Sequence, residues 1–339
     1  MNRRRPVPAD TTRPAVFVEA PARLHFGMLD LRGGLGRRFG GIGAAVPSPS
    51  LLLEASRAPA LTSEGPSPAA TRAVQFGRRF LAHHGVETGA HIRILSAIPA
   101  HSGLGSGTQL ALAVARALGV LYDLPGDADQ LARITGRAQR SAIGTWLFAQ
   151  GGFVLEGGRR AGSKDPAPRL ARFDMPGSWR CIVAVPRGKA GMSGADENAA
   201  FAHLPPPPER SVMRVSHLVL MALLPALAEG DLATFGHALT EIQCINGRWF
   251  APAQGGAFSP GPSASVIERM TELGAEGVGQ SSWGPAVYGI VDGDDAAREL
   301  ADRLRDDVPD AGAVYCGAFA NSGARVWRDV PSNATPDSR

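Results

Sequence analysis

Pro99-Ala100-His101-Ser102-Gly103-Leu104-Gly105-Ser106-Gly107-Thr108 is the stretch on which the reading of this chain turns. Before it, His91 to Ile98 alternates in the period-two manner of a half-buried strand. After it, Gln109 to Tyr122 is almost wholly apolar and predicts a buried helix. Strand, glycine loop and helix form one unit. Phosphate binding through backbone amides calls for glycines that permit close approach, a helix start with free N–H groups and small hydroxyls as further donors, and Gly103 to Thr108 supplies all three. The helix dipole contributes only about 0.3–1 kcal/mol per charge, so converging N–H groups must supply most of the affinity. Two familiar loops are excluded: no lysine stands near Gly107 as GxxxxGK[ST] requires, and Thr108 stands where the third glycine of GxGxxG would fall.

Towards the N-terminus, Val16 to Val18 reads as a strand that continues through Pro21 to Gly27, and Leu29 to Gly43 as a glycine-rich hairpin or ligand-approaching backbone. Arg23 and His25, one residue apart in this strand, share a face. Leu51 to Ala55 predicts another strand, and Thr71 to His84 a helix that buries Val74, Phe76, Phe80 and Leu81. Gln130 to Ser141 predicts a more polar helix, and Trp146 to Glu156 a turn and a buried strand. Gly157 to Arg172 has the composition of a linker.

The second half predicts a strand at Arg180 to Val185, a loop at Pro186 to Asn198 and a proline spacer at Pro205 to Pro208. Helices follow at Ser211 to Leu224, at Asp231 to Cys244 with Asp231 as N-cap, and at Ser263 to Leu273. Gly277 to Gly284 reads as a glycine and serine loop, then come a strand at Ala286 to Val291, a helix at Asp294 to Arg305, a strand near Ala313 to Phe319 and a loose tail. The expected plan is a disordered tail over 1–14, domains over 15–165 and 166–330, and a second loose tail over 331–339.

Composition bounds the function. A chain of 339 residues is about two units of roughly 150, and 44% hydrophobic with 19% charged residues excludes a wholly disordered chain or a coiled coil. The net charge of +4 is spread along the chain, which argues against nucleic acid as a partner. Lys164 and Lys189 are the only lysines, so the positive charge is almost all guanidinium, suited to bidentate phosphate and carboxylate contacts. Cys181, Cys244 and Cys316 form neither a CxxC pair nor a disulfide framework, which fits a reducing compartment. Arg3 to Arg5 have no apolar run behind them, and the greasy stretch ending at Leu227 is interrupted by Pro225 and short of the roughly 20 residues of a membrane span. A cytoplasmic protein without a membrane partner is expected.

Pro99-x3-Gly103-Leu104-Gly105-Ser106-Gly107-Thr108 resembles the phosphate loop of the GHMP kinase superfamily, Pro-x3-Gly-Leu-Gly-Ser-Ser. Pro21 to Asp30 and Gly277 to Gly284 occupy the places of that superfamily's first and third motifs. Kinases of the mevalonate type carry Ser-Gly-x-Asp ahead of a Gly-Gly pair, and here Ser141-Ala142-Ile143-Gly144 precedes Gly151-Gly152, with glycine in place of the aspartate. A closer resemblance covers Pro21-Ala22-Arg23-Leu24-His25-Phe26-Gly27-Met28-Leu29-Asp30, Gly188 to Asn198 with Met192-Ser193-Gly194, and Gly279-Gln280-Ser281-Ser282-Trp283-Gly284-Pro285. These strings are similar to the beta-ribofuranosylaminobenzene 5'-phosphate synthase family.

That resemblance implies an α+β, GHMP-kinase-like two-domain fold, with a ribosomal-S5 second-domain-like N-terminal domain, a ferredoxin-like C-terminal domain and the active site between them. It implies a decarboxylating pentosyltransferase that condenses phosphoribosyl pyrophosphate with 4-aminobenzoate, releasing pyrophosphate and CO2, in tetrahydromethanopterin biosynthesis. Pyrophosphate is then expected on Ser102, Gly103, Leu104, Gly105, Ser106, Gly107 and Thr108, with Mg²⁺ bridging its oxygens and Asp30, Asp196 and Glu197 as candidate ligands. Arg23 and His25 would face the 5'-phosphate or the benzoate carboxylate, with Arg140 a further substrate-binding candidate. Gln280, Ser281 and Ser282 would supply hydrogen bonds, Trp283 would stack on the ring and Gly284 would belong to the same substrate loop. A homodimer is expected. An ATP-dependent small-molecule kinase and a non-catalytic ligand-binding relative stay open as alternatives on the same fold.

Overall fold

The computed structural model describes residues 14–188, 191–192, 194–308 and 310–329. Residues 1–13 of the tail expected over 1–14, the tail expected over 331–339, and Lys189 and Ser193 lie outside the described residues.

In chain order the elements of the first half are β1 (Ala15–Asp30), β2 (Arg37–Ala58), β3 (Thr62–Glu64), α1 (Ala69–His83), β4 (Gly89–Ser96), α2 (Ser106–Leu121), α3 (Ala128–Ile134), α4 (Ile143–Gln150), β5 (Phe153–Glu156), β6 (Arg159–Arg160) and β7 (Arg169–Phe173). The second half contributes β8 (Trp179–Val185), α5 (Gly194–His203), α6 (Glu209–Leu218), a π-helical turn (Val219–Leu223), α7 (Leu224–Glu229), α8 (Leu232–Gln254), α9 (Pro262–Glu272), β9 (Glu276–Gln280), β10 (Val287–Asp292), α10 (Asp294–Asp307), β11 (Ala313–Ala318) and β12 (Arg325–Asp329). This is the mixed α+β architecture that the sequence predicts.

One sheet runs β12-β1-β2-β4-β3, antiparallel except for the β3/β4 pair, with β5 and β6 pairing the first part of β2 and β7 joining β5. The second sheet runs β11-β8-β10-β9. Helix α2 packs on β1 and β2 and is buried on nearly every side, as a helix that is almost wholly apolar after its first turn must be. In β10 the residues alternate: Val287 and Val291 join the core beneath α9 and α10, whereas Tyr288 and Ile290 join the larger core with α8. Tyr288 lies 4.9 Å from Phe26 of β1, so the two sheets share this larger core.

Several segments depart from their predicted form. Gly277 and Gly279 lie in a strand, because α8 crosses so closely that a Cβ on Gly279 would stand 2.6 Å from Gln243. Residues 143–150 form α4 where a turn was expected, and the polar helix stops at Ile134, since Gly136 (φ +71°) and Ala138 (φ +58°) turn the chain. The linker segment contributes β7, and the end of the chain contributes β12, which pairs β1. The apolar run is longer than expected: Glu209–Glu229 forms 21 continuous helical residues, long and apolar enough by composition to cross a membrane. Its inner face packs on α8, and the run contains both the π turn and Pro225. Asp231 caps α8 as predicted, accepting from Thr234 N–H at 3.0 Å.

Helix α8 is stitched to β1 by amide side chains. Gln243 donates to Phe26 C=O (2.6 Å) and accepts from Gln280 N–H (3.0 Å), while Asn246 accepts from Met28 N–H (2.5 Å) and donates to Met28 C=O (3.1 Å). Gln243→Leu fits the space but leaves a buried carbonyl and a buried N–H without partners. Urea denaturation should show a loss of about 2–4 kcal/mol of unfolding free energy.

Candidate active site

Three segments far apart in sequence meet at one carbonyl. Gly103 C=O accepts from Arg23 Nη1 (2.9 Å) and from Ser281 Oγ (2.8 Å), and the same hydroxyl accepts from His25 N–H (3.0 Å). Arg23 N–H donates to Leu104 C=O and Ala286 N–H to Ser102 C=O, each at 3.0 Å. Gly103 is held at φ +82°, where a Cβ would lie 2.1 Å from Ser281 O, so no other residue fits. Ser281 is fully buried in this knot, Ser102 Oγ donates to Pro99 C=O (2.7 Å), and Leu104 is core. Gly284 N–H closes the turn onto Ser281 C=O (3.0 Å). The structure therefore places Ser281, Ser102, Leu104 and Gly284 behind the surface that a ligand would touch.

In front of the knot lies a cleft whose basic part measures about 390 Å³. Its floor is the start of α2. Thr108 and Gln109 N–H groups return to Gly105 C=O at 3.0 Å each, which leaves the Ser106 and Gly107 N–H groups as the donors of the first turn unengaged among the described residues. Four arginines line this part, Arg23, Arg72, Arg137 and Arg140, against one carboxylate, Glu197. Arg140 is paired with Glu197 and Asn198. Arg23 is partly buried with its Nε enclosed, and that desolvation lowers its pKa to about 10. Burial likewise lowers Arg137 to about 10, with Arg72 and Arg79 adding repulsion.

The cleft borders a narrow aromatic crevice of about 30 Å³, where the buried Trp283 meets Phe250 edge-on at 4.8 Å and Phe201 at 5.4 Å. Trp283 Nε1 donates to Glu197 (3.2 Å), which ties the crevice to the basic part. The amides on the crevice wall are engaged within the protein: Gln243 and Asn246 hold β1, and Gln280 accepts from Ser259 N–H (2.8 Å) and donates to Ser282 C=O (3.1 Å). His25 and Ser282 line the junction of crevice and basic cleft. Burial, with Arg23 beside it, depresses the His25 pKa to about 3, so the imidazole is neutral at physiological pH. Its Nε2 is buried without a hydrogen-bond partner among the described residues.

The expected metal ligands do not converge. Asp30 accepts from Arg32 N–H (2.6 Å) and Gly33 N–H (2.8 Å) and holds the β1–β2 turn, and Asp196 is exposed on α5. Glu197 alone of the three lines the cleft, with one oxygen bonded to Arg140 and the other to Trp283. Among the described residues no three His, Cys, Asp or Glu side chains gather. A protein-held Mg²⁺ site does not fit this donor set, because Mg²⁺ seeks one or two free carboxylates alongside waters and phosphate oxygens.

Comparison with known proteins gives the family and the fold. Residues 70–147 match the GHMP kinases N terminal domain and residues 223–310 the GHMP kinases C terminal family. The beta-ribofuranosylphenol 5'-phosphate synthase of Methanothermobacter thermautotrophicus is 36% identical over 82% of this chain and 89% of its own. The synthase of the same name from Archaeoglobus fulgidus is 35% identical over 81% and 87%. The chain belongs to the beta-ribofuranosylphenol 5'-phosphate synthase family. Its fold is that of the GHMP kinases: the homoserine kinase of Cytophaga hutchinsonii superposes with a TM-score of 0.64 at 19% identity, covering 96% of this chain and 100% of the kinase. The family name specifies a phenol where the motifs alone suggested an aminobenzene.

In this synthase-family chain Gly144 opens α4 beside the phosphate loop, and a Cβ there would stand 3.2 Å from Thr108 Cγ2. Sequence reasoning missed Arg72, Arg137 and Glu156, since arginine on a helix face and an acid ending a strand carry no motif. Glu156 is buried, its Oε2 accepts from Ala142 N–H (2.6 Å) at the start of α4, and its Oε1 has no partner among the described residues. Burial pushes its pKa up to about 8, against the opposing pull of Ser141, Ala142 and Arg23.

A carboxyl group that ionises near 8 when folded and near 4.5 when unfolded favours the folded state most below 4.5. That contribution is lost as pH rises through 8. Glu156→Gln keeps an acceptor for Ala142 N–H and cannot ionise, so its stability should fall less between pH 5 and pH 8.5 than the wild type's. Urea midpoints at the two pH values measure the difference, and parallel curves would contradict the buried neutral acid.

Proposed function

We propose that the chain condenses phosphoribosyl pyrophosphate with 4-aminobenzoate to give the C-riboside 5'-phosphate. The observation that carries this reading is the junction of an arginine-rich cleft with an aromatic crevice at Arg23, His25 and Ser282. A polyanionic sugar and a flat benzoate call for those two surfaces side by side.

In this reading the C1–O bond of the ribose breaks and the diphosphate leaves with the electron pair. The ring carbon bearing the carboxylate bonds to C1, the carboxylate carbon departs as CO2, and its electron pair restores the aromatic ring. No net oxidation or reduction occurs. Guanidinium groups and the Ser106 and Gly107 amides stabilise charge on the leaving group, and the edge of the aromatic cluster of Trp283, Phe201 and Phe250 is the apolar surface against which the ring would lie. A neutral His25 leaves the developing ribosyl cation without a facing imidazolium. Among the described residues the carboxylates do not make a seat for Mg²⁺.

The name of the relatives favours a second acceptor, 4-hydroxybenzoate. Each acid, labelled in its carboxyl group, is to be incubated with enzyme, Mg²⁺ and phosphoribosyl pyrophosphate, and the released CO2 counted. Release should require the sugar diphosphate, and equal release in its absence would make the protein a plain decarboxylase.

Gly144 separates this reading from a kinase. Gly144→Asp introduces a carboxylate beside Thr108, where it repels a departing diphosphate, and should lower C-riboside formation by about tenfold or more. ATP-dependent transfer by the wild type, with no product from either acid, would replace the transferase by a kinase.

A further inference from the structure

The positive charge of the cleft is unevenly compensated. Arg140 has Glu197, but among the described residues neither Arg72 nor Arg137 is paired with a carboxylate. Both guanidinium groups lie against one ring, that of Phe76, with Arg137 Cζ 4.8 Å and Arg72 Cζ 5.7 Å from its centroid. Phe76 is itself buried and lies one turn along α1 from Arg72, so it forms a fixed platform. From that platform the two side chains converge on the phosphate loop. A Cβ built on Gly107 would meet Arg72 Nη2 at 2.4 Å and Arg137 Nη2 at 3.4 Å.

Two like charges held together over a helix N-terminus repel one another, and Arg79 adds a third cation close by while donating to Thr135 C=O (3.2 Å). Arg137 Nε is buried without a partner among the described residues. A multivalent anion would relieve that repulsion. Two planar guanidinium forks and two free amides match the oxygens of a diphosphate better than those of a single carboxylate. The same surroundings offer no free carboxylate to a divalent cation.

We propose that Arg72 and Arg137, stacked on Phe76 above Gly107, form a clamp that binds the substrate's diphosphate group directly, so that diphosphate is held without a protein-bound divalent metal. This inference rests on the function proposed above and specifies how that site takes its leaving group. Gly107 serves the clamp by leaving open the space into which Arg72 reaches.

The test is calorimetric titration of the full chain with inorganic pyrophosphate in EDTA, and separately with ribose 5-phosphate. The wild type should bind pyrophosphate without metal. Arg72→Gln and Arg137→Gln should each weaken pyrophosphate binding roughly 10- to 100-fold, while ribose 5-phosphate changes less than about twofold. Arg72→Lys keeps the charge but not the fork and should fall between. Arg298→Gln removes an exposed charge on α10 and should change neither. Pyrophosphate binding seen only with Mg²⁺, binding indifferent to both clamp residues, or an equal loss in Arg298→Gln would overturn the clamp. Intact clamp behaviour in a protein that releases no CO2 from either acid would instead overturn the proposed reaction and leave the clamp standing.

Discussion

Gly103 brings a carbonyl into a partly buried seam at the edge of the cleft, and two donors from opposite ends of the chain meet it there. Arg23 Nη1 comes from the first long strand and Ser281 Oγ from the turn after β9, 178 residues beyond the glycine. Leaving that carbonyl unmet would cost about 1–3 kcal/mol, and the same holds for the His25 N–H that Ser281 also serves. The consequence is geometric. The phosphate loop, the strand carrying Arg23 and His25, and the turn carrying Ser282 and Trp283 are locked in one register, so the cleft and the crevice are two faces of a single knot.

Around that knot the chain places cations more freely than acids. Arg23 is partly buried beside a loop whose amides already favour anions, and Glu197, with Glu156 behind it, opposes the cost of that burial. A low-dielectric site lined this way is organised in advance for negative charge that develops as a leaving group departs. Glycine at 144, with no side chain to add, preserves that field. The kinase fold thus supplies the loop and helix, and the residues around it change what the loop is used for.

Function also shapes elements that look irregular in isolation. The break after α3 at Gly136 and Ala138 sacrifices helix, yet it turns Arg137 and Arg140 towards the loop. Ser282, held at φ +56°, occupies a conformation that costs a non-glycine residue of order 1–3 kcal/mol and faces the junction of cleft and crevice.

The amino-acid sequence by itself determined the phosphate loop, the shared face of Arg23 and His25 and the cap at Asp231, because each depends on residues within a few positions of one another, whereas the α+β plan followed from the family resemblance. Glycine at φ values above zero, alternation along a strand and a carboxylate three residues ahead of an N–H are local physics. Only the tertiary structure decided which polar groups face a ligand. Ser281 and Gln280 belong to the same string as Ser282, yet their hydrogen bonds are completed by Gly103, Ser259 and other distant partners, so they position what Ser282 exposes. The glycines of β9 read as a loop until α8 is laid across them, and α4, rich in poor helix formers at its start, is capped by a carboxylate from β5. Arg72 and Arg137, on separate elements, are unremarkable among the chain's many arginines. What brings them together is the packing of Phe76 between α1 and the turn after α3, a contact that no spacing along the chain encodes.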